Sequence, residues 1–195
     1  MITDGQRMPP QHFFRVAEAS LHGGVDTILV REKQMDSARL LAFSSRMRAL
    51  TRDAGARLII HTRADIARAV EADGVHVETG GMGELPAIRN WAEGFPLSLS
   101  ASCHNLTEIK WAHAMGADFA LLSPVFPTGS HPGSSSLGEK NFKKLAKAAL
   151  IPVIALGGIR PENRHLINNF GIAVISAILD ATSPETAARN LLEKS

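Results

Sequence analysis

A chain of 195 residues is long enough for one domain with a full hydrophobic core and too short for two comfortable ones. With 45% hydrophobic residues, 21% charged residues and a formal net charge of +2, nothing points to a nucleic acid or a membrane as partner. A single cysteine, Cys103, excludes an internal disulfide and a cysteine-based metal cluster, and fits a reducing, cytoplasmic setting.

Met1-Ile2-Thr3-Asp4-Gly5 lacks the apolar stretch of a signal peptide, so none is expected. No apolar run approaches the ~20 residues of a membrane span. Short apolar runs alternate with helix-period segments along the chain. Before the first amphipathic segment, 11–22, only residues 1–3 are available for a strand. Then come strand 25–31 and helix 36–54, strand 57–61 and helix 63–72, and strand 74–77 and helix 84–93. Strand 97–101 and helix 105–115 follow, then strand 118–123 and helix 139–149. The last are strand 152–156 and helix 161–169, and strand 172–176 and helix 184–193. The strands are short and apolar on both faces, as a parallel sheet covered by helices requires. Thr62 before Arg63, and Asn105 three residues before Glu108, resemble helix N-caps. Pro161 and Pro184 suit a first helical turn.

Eight strand–helix units predict an α/β fold of the (β/α)8 TIM-barrel class, with residues 1–195 as a single domain and a very short first strand. A doubly wound open sheet is the alternative, because repeated βα units alone do not settle closure. A barrel's site lies at the C-terminal ends of its strands. Those ends are polar here: Thr3-Asp4, Arg31-Glu32-Lys33, His61-Thr62, His76 with Glu78, Ser100, Ser102, His104, Ser123 onward, Gly157-Gly158 and Ser176.

Residues 123–138 form a loop rich in Ser, Gly and Pro, stiffened by Pro124, Pro127 and Pro132. Loops this long inside a compact domain are usually functional or disordered, so it reads either as a wall over an anionic substrate or as a solvated connection. Arg31 and Lys33, two apart after a strand, would share one face and meet one anion. The plain alternative is a solvated charge cluster. Gly157-Gly158 permits close backbone approach and offers N–H donors, as does the end of the last strand at Ile175-Ser176. Loops after strands seven and eight are the usual phosphate site of such barrels. Of eight histidines, His12, His22, His113 and His165 fall on helix surfaces. His61, His76 and His104 fall at strand ends, as rim residues or as acid–base groups. A histidine-only metal site lacks any close-spaced motif. Cys103 reads as buried and inert.

At these residues the chain resembles the thiamin-phosphate synthase/TenI superfamily. Ile2-Thr3-Asp4-Gly5, Val30-Arg31-Glu32-Lys33 and Ala72-Asp73-Gly74-Val75-His76-Val77 are similar to its motifs. So are Ser102-Cys103-His104, Ser123-Pro124-Val125-Phe126-Pro127-Thr128, Ile151 to Ile159, and Gly171 to Ile178. The family synthase joins a pyrimidine diphosphate to a thiazole phosphate and releases pyrophosphate with Mg²⁺. The resemblance implies that Arg31 and Lys33 meet pyrophosphate, that Gly158, Ile175 and Ser176 meet the thiazole phosphate, and that Ser102, Thr128 and Ser130 line the pocket. The synthase's metal-binding Asp falls at Thr62, its second acidic ligand at Gly81 and its lysine at His131. Mg²⁺ wants carboxylate oxygens, so no cofactor is firmly assigned and Mg²⁺ stays a candidate without its expected Asp ligands. TenI-type relatives drop these carboxylates, and some are thiazole tautomerases. Their proton-transfer His falls at Pro124, which leaves His104 or His131 as candidate catalytic residues. The expectation is a cytoplasmic thiamin-biosynthesis barrel that binds thiazole phosphate, TenI-like in preference to a competent synthase. A homo-oligomer is expected, with no nucleic acid and no membrane as partner. A tautomerase-like isomerase, a non-catalytic phosphate-binding or regulatory barrel, and another phosphate-binding barrel enzyme remain as alternatives.

Overall fold

The computed structural model describes residues 1–5, 7–129 and 135–193. Helix α1 (Pro10–His22) is followed by β1 (Thr27–Val30), α2 (Ser37–Asp53), β2 (Arg57–His61), α3 (Ala64–Ala69) and β3 (Gly74–Val77). A 3-10 segment, Thr79–Glu84, leads into α4 (Leu85–Trp91). Then come β4 (Ser98–Cys103), α5 (Leu106–Ala114), β5 (Phe119–Leu122), α6 (Gly138–Lys147), β6 (Val153–Leu156) and α7 (Pro161–Arg164). A second 3-10 turn, His165–Ile167, precedes β7 (Ile172–Ala173), α8 (Ser176–Leu179) and α9 (Pro184–Leu192). The sheet order is the sequence order, β1 to β7. The expected strand at residues 1–3 is a single parallel bridge, Ile2 with Leu29. Two hydrogen bonds of 2.9 Å, Thr3 N–H to the Leu29 carbonyl and Leu29 N–H to the Met1 carbonyl, make it.

The chain divides into two compact units, Met1–Val75 with Ile175–Glu193, and His76–Val174. In the first, β1 and β2 pair in parallel from Thr27↔Arg57 to Val30↔Ile60. Its core holds the fully buried Phe13, Ile28, Met47, Leu58 and Ile60. Phe43 stands 5.6 Å from the Phe13 ring and 5.0 Å from the Phe14 ring. The Arg46 guanidinium covers the outer side of Phe14 at 4.0 Å. Asp36 caps α2 by accepting the Arg39 N–H at 2.9 Å. Gly23, after α1, lies so close to α9 that a Cβ there would sit 2.7 Å from the Ala188 Cβ.

In the second unit, β4, β5, β6 and β7 pair in parallel, with Ser100↔Phe119, Ala120↔Val153 and Ala155↔Ile172 in register. Leu99, Ile109, Leu122, Phe142 and Ile167 are fully buried. Phe142 meets the edge of Phe170 at 5.0 Å. Asn105 caps α5 as expected, taking the Glu108 N–H at 2.9 Å.

Each unit uses the same device at the start of a strand. Asp73, just before β3, accepts the Leu58 N–H of β2 at 2.7 Å and Arg48 of α2 at 2.7 Å. Asp118, just before β5, accepts the Leu99 N–H of β4 at 2.6 Å and Arg89 of α4 at 2.9 Å. One carboxylate thus satisfies an interior backbone donor and ties down a covering helix.

Four sequence expectations are corrected, the first being the helix expected over 161–169, of which only Pro161–Arg164 is α-helical before the 3-10 turn His165–Ile167. Thr62 is not a cap: it has φ 59° and lies inside a three-residue turn closed by Arg63 N–H to the His61 carbonyl at 2.8 Å. The strand expected over 172–176 stops at Ala173, and Ser176 opens α8. The helix expected over 63–72 covers only Ala64–Ala69, since Glu71 has φ 53° and cannot continue it. Replacing Asp73 or Asp118 with Ala should strand a buried N–H and cost about 1–3 kcal/mol, read as a lower urea midpoint.

Candidate functional site

In the first unit, Thr3 is fully buried and its hydroxyl oxygen accepts the Arg31 N–H at 2.9 Å. The same hydroxyl lowers the Glu32 pKa, as a neighbouring donor would. Both Glu32 oxygens also accept the Gly5 N–H, at 3.0 Å each. Burial pushes Glu32 above the usual carboxylate range, and the Thr3 hydroxyl and the Gly5 N–H pull the other way without cancelling it. The Arg31 guanidinium, half-buried, makes no hydrogen bond or ion pair among the described residues. Lys33 is exposed and belongs to a turn in which Met35 N–H reaches the Glu32 carbonyl at 3.3 Å. The turn therefore sets its direction, and the strand alternation expected for Arg31 and Lys33 does not reach it.

Arg7 binds Asp4 through Nε at 2.9 Å and both Asp180 oxygens through Nη1 at 2.9 and 3.0 Å. This joins the segment after the Ile2 bridge to the end of α8, across 173 positions of sequence. His61, at the end of β2, is buried, and its carbonyl accepts the Thr62 hydroxyl at 2.8 Å. Ile175 and Ser176 stand where α8 begins, a place where unpaired N–H groups gather.

In the second unit, His76 is buried between two serines: Nδ1 meets the Ser100 hydroxyl at 2.9 Å and Nε2 meets the Ser102 hydroxyl at 2.8 Å. Both ring nitrogens are satisfied, and the partly exposed Ser102 hydroxyl is oriented by the ring. His104 is exposed. Its Nδ1 stands 2.8 Å from the Ser123 carbonyl, which can only accept, so the ring proton sits on Nδ1 and the neutral imidazole carries its lone pair on Nε2. The His104 N–H donates to Glu108 at 2.7 Å, which fixes the backbone beneath the ring. Cys103 is fully buried, and burial first, then the Glu108 charge, pushes its thiol up to about 12. It is inert, as expected.

The loop after β5 starts with a cis Ser123–Pro124 bond and folds onto the loop after β6. Val125 N–H reaches the Leu156 carbonyl at 2.9 Å, and Phe126 N–H reaches Gly157 at 3.0 Å. Gly157 and Gly158 have φ of 97° and 66°. A Cβ on Gly157 would stand 2.8 Å from the Pro124 Cα, and one on Gly158 would strike the Phe126 and Pro127 carbonyls. Only glycine fits there. Among the described residues, the Gly158 N–H has no acceptor, while the Gly157 N–H continues the β6–β7 ladder toward Ala173. Thr128 lies partly exposed further along this loop. Ser130 and His131, both expected at the site, lie outside the described residues.

The metal positions of the family pattern do not carry magnesium donors. Thr62 turns its hydroxyl onto its own neighbour's carbonyl, and Gly81 has no side chain. Among the described residues, no three His, Cys, Asp or Glu side chains stand close enough to hold a metal ion. A cavity of ≈ 400 Å³ lies at the N-terminal end of β4, the end of the strand away from Ser102 and His104. Its Arg89 is already committed to the Leu97 and Gly116 carbonyls and to Asp118, so it reads as packing space.

Sequence reasoning missed Glu32 and the Arg7–Asp180 pair. Glu32 had a visible signal in its place between two cations, but its partner Gly5 is 27 positions away. The Arg7 pairing has no local signal.

Comparison with known proteins identifies the family. The family model described as thiamine monophosphate synthase matches residues 1–180. A thiamine-phosphate synthase of Methanobrevibacter smithii is 36% identical, with 94% of this chain and 88% of that protein covered. One of Archaeoglobus fulgidus is 37% identical, with 91% and 84% covered. A solved thiamine phosphate pyrophosphorylase of Pyrococcus furiosus superposes with a TM-score of 0.86 at 30% identity, covering 97% of this chain and 91% of that one. The fold class is the TIM-barrel-like α/β class expected from the eight strand–helix units.

The raised Glu32 gives a pH test. A carboxyl raised in the folded state adds stability that is present below its unfolded value and lost as pH rises through the folded value. Glu32→Gln removes that titration. Its stability relative to the parent protein should therefore rise between pH 4 and pH 7, measured by urea unfolding at both.

Proposed function

This chain belongs to the thiamine monophosphate synthase family, and on that premise we propose that it binds a thiazole phosphate or a closely similar phosphorylated heterocycle. The carrying observation is the Gly157–Gly158 turn, in which the Gly158 N–H has no acceptor among the described residues. The loop packing that forbids any Cβ there also holds that donor in place. A phosphate supplies the oxygen it lacks. On the same reading, Ile175 and Ser176 offer donors from the start of α8. Arg31 and Lys33 supply charge for a second phosphate group, and Arg31 has guanidinium donors to spare. His61, His76, Ser102, Thr128 and Ser130 are assigned to substrate contact. For Ser102, the support is a hydroxyl already oriented by His76.

The proposed chemistry is proton transfer by His104, with His131 as the second candidate. Fixed with its proton on Nδ1, neutral His104 accepts a proton at Nε2, and the imidazolium can return it. The Ser123 carbonyl holds the ring in one orientation through both steps. This is the tautomerase-like branch of the family. No step is routed through Mg²⁺, because Thr62 and Gly81 do not present its donors. The working form is expected to be a homo-oligomer in the cytoplasm. No helix among the described residues is long and apolar enough to cross a membrane.

Synthase chemistry is the second reading, favoured by the names of the relatives. With a pyrimidine diphosphate, a thiazole phosphate and Mg²⁺, the purified protein should not form thiamin phosphate at synthase-like rates. Efficient turnover there would replace the isomerase proposal with the synthase. A thiazole carboxylate phosphate should isomerise faster with the protein than without it. His104→Ala should slow this by about 10²-fold or more while calorimetric affinity for thiazole phosphate is kept. Affinity with no turnover of either substrate would leave a binding role alone.

A further inference from the structure

We propose that Glu32 is a positioning residue whose carboxylate, locked onto the Gly5 N–H, holds the turn that carries Arg31 and Lys33 for anion binding. This rests on the reading of those two cations as an anion site. Taken by charge alone, Glu32 is in the wrong place. A carboxylate between two cations repels the anion they would bind and competes for them. The geometry removes it from that competition. Both of its oxygens accept the Gly5 N–H at 3.0 Å. The Thr3 hydroxyl accepts the Arg31 N–H at 2.9 Å. Thr3 therefore ties the backbone of Arg31, and Gly5 the side chain of Glu32, to the same segment after the Ile2 bridge.

The consequences reach both cations. The Glu32 carbonyl closes the turn that contains Lys33 by accepting the Met35 N–H at 3.3 Å. Fixing Glu32 thus fixes that turn. The Arg31 guanidinium is left without a hydrogen bond or ion pair among the described residues, although a carboxylate is its immediate neighbour. An arginine that declines an adjacent glutamate keeps its donors for something else. Gly5 completes the arrangement: a Cβ there would stand 2.6 Å from one Glu32 oxygen and would push the carboxylate off its present place. Further out, Arg7 holds Asp4 at 2.9 Å and keeps a second negative charge occupied.

The sign of one measurement decides between charge and position. The probe is inorganic pyrophosphate, titrated by calorimetry at fixed pH and salt into the full chain. Glu32→Gln is isosteric and removes a negative charge, so an electrostatic role predicts tighter binding. The positioning role predicts weaker binding, by roughly tenfold or more, because a small misplacement of binding groups is costly. Gly5→Ala attacks the same contact from the other side and leaves every charge in place. It too should weaken binding, with circular dichroism showing the native fold. Arg31→Ala tests the premise and should reduce affinity most. If the parent protein fails to bind pyrophosphate, or Arg31→Ala binds it unchanged, the anion site falls and this inference with it. If Arg31→Ala loses affinity while Glu32→Gln and Gly5→Ala bind as well as the parent or better, the positioning role alone is overturned.

Discussion

Everything at the carboxyl ends of these strands depends on how their amino ends are held, and a single carboxylate does that work twice. Asp73 and Asp118 each sit one residue before a strand and accept a backbone N–H from the strand before it. Parallel strands have no hairpin to set their register. A side chain that bonds a particular neighbouring amide does it instead. Arg48 and Arg89 add the covering helix to the same point. Because Leu58 and Leu99 are fully buried, a slip would leave their N–H groups without water and without a partner. Register in turn decides which residues reach the far end: His61 at the end of β2, and Ser102 with Cys103 at the end of β4.

At the carboxyl end of β4, rigidity comes from polar contacts of histidine side chains. Ser100, His76 and Ser102 form a line in which each ring nitrogen of His76 has a hydroxyl. His104 leans on the Ser123 carbonyl just before the cis peptide bond. The loop that follows is pressed onto Gly157 and Gly158. Their missing side chains thus serve two ends: they admit the loop and they leave the Gly158 N–H without an acceptor among the described residues. Packing and ligand binding ask for the same residue, so the Gly-Gly pair cannot be credited to either alone.

Much of this was legible before the coordinates. Apolar runs such as Arg57–His61 and Gly74–Val77 are bounded by polar or glycine residues, and their limits agree with the structure. Asn105 followed by Glu108 is a local signal and caps a helix as read. Thr62 carries the same residue-type signal and misleads, because backbone conformation overrides it. A β-branched residue at φ 59° is held there by its surroundings, which composition does not report. The run from Ile172 stays apolar past Ala173, so nothing in it marks where pairing stops and α8 begins. At the site, the residue types at strand ends were readable, but their partners were not. Gly5 with Glu32, and Arg7 with Asp180, are pairings across 27 and 173 positions, and only folding brings them together.

The composite make-up of the first unit has a consequence for how the chain acquires its structure. That unit needs Met1–Val75 and also Ile175–Glu193, whereas the described residues of the second unit lie between His76 and Val174. On a ribosome, the later segment can finish while the earlier one still lacks α8 and α9. Until those helices emerge, the face of α1 that packs on α9 is bare, Arg7 lacks Asp180, and Gly23 borders empty space. Loop-closure entropy is set against this unit at its longest span. The nascent protein would therefore carry an unfinished apolar surface at its beginning until its end is made, the condition in which chaperones are most needed.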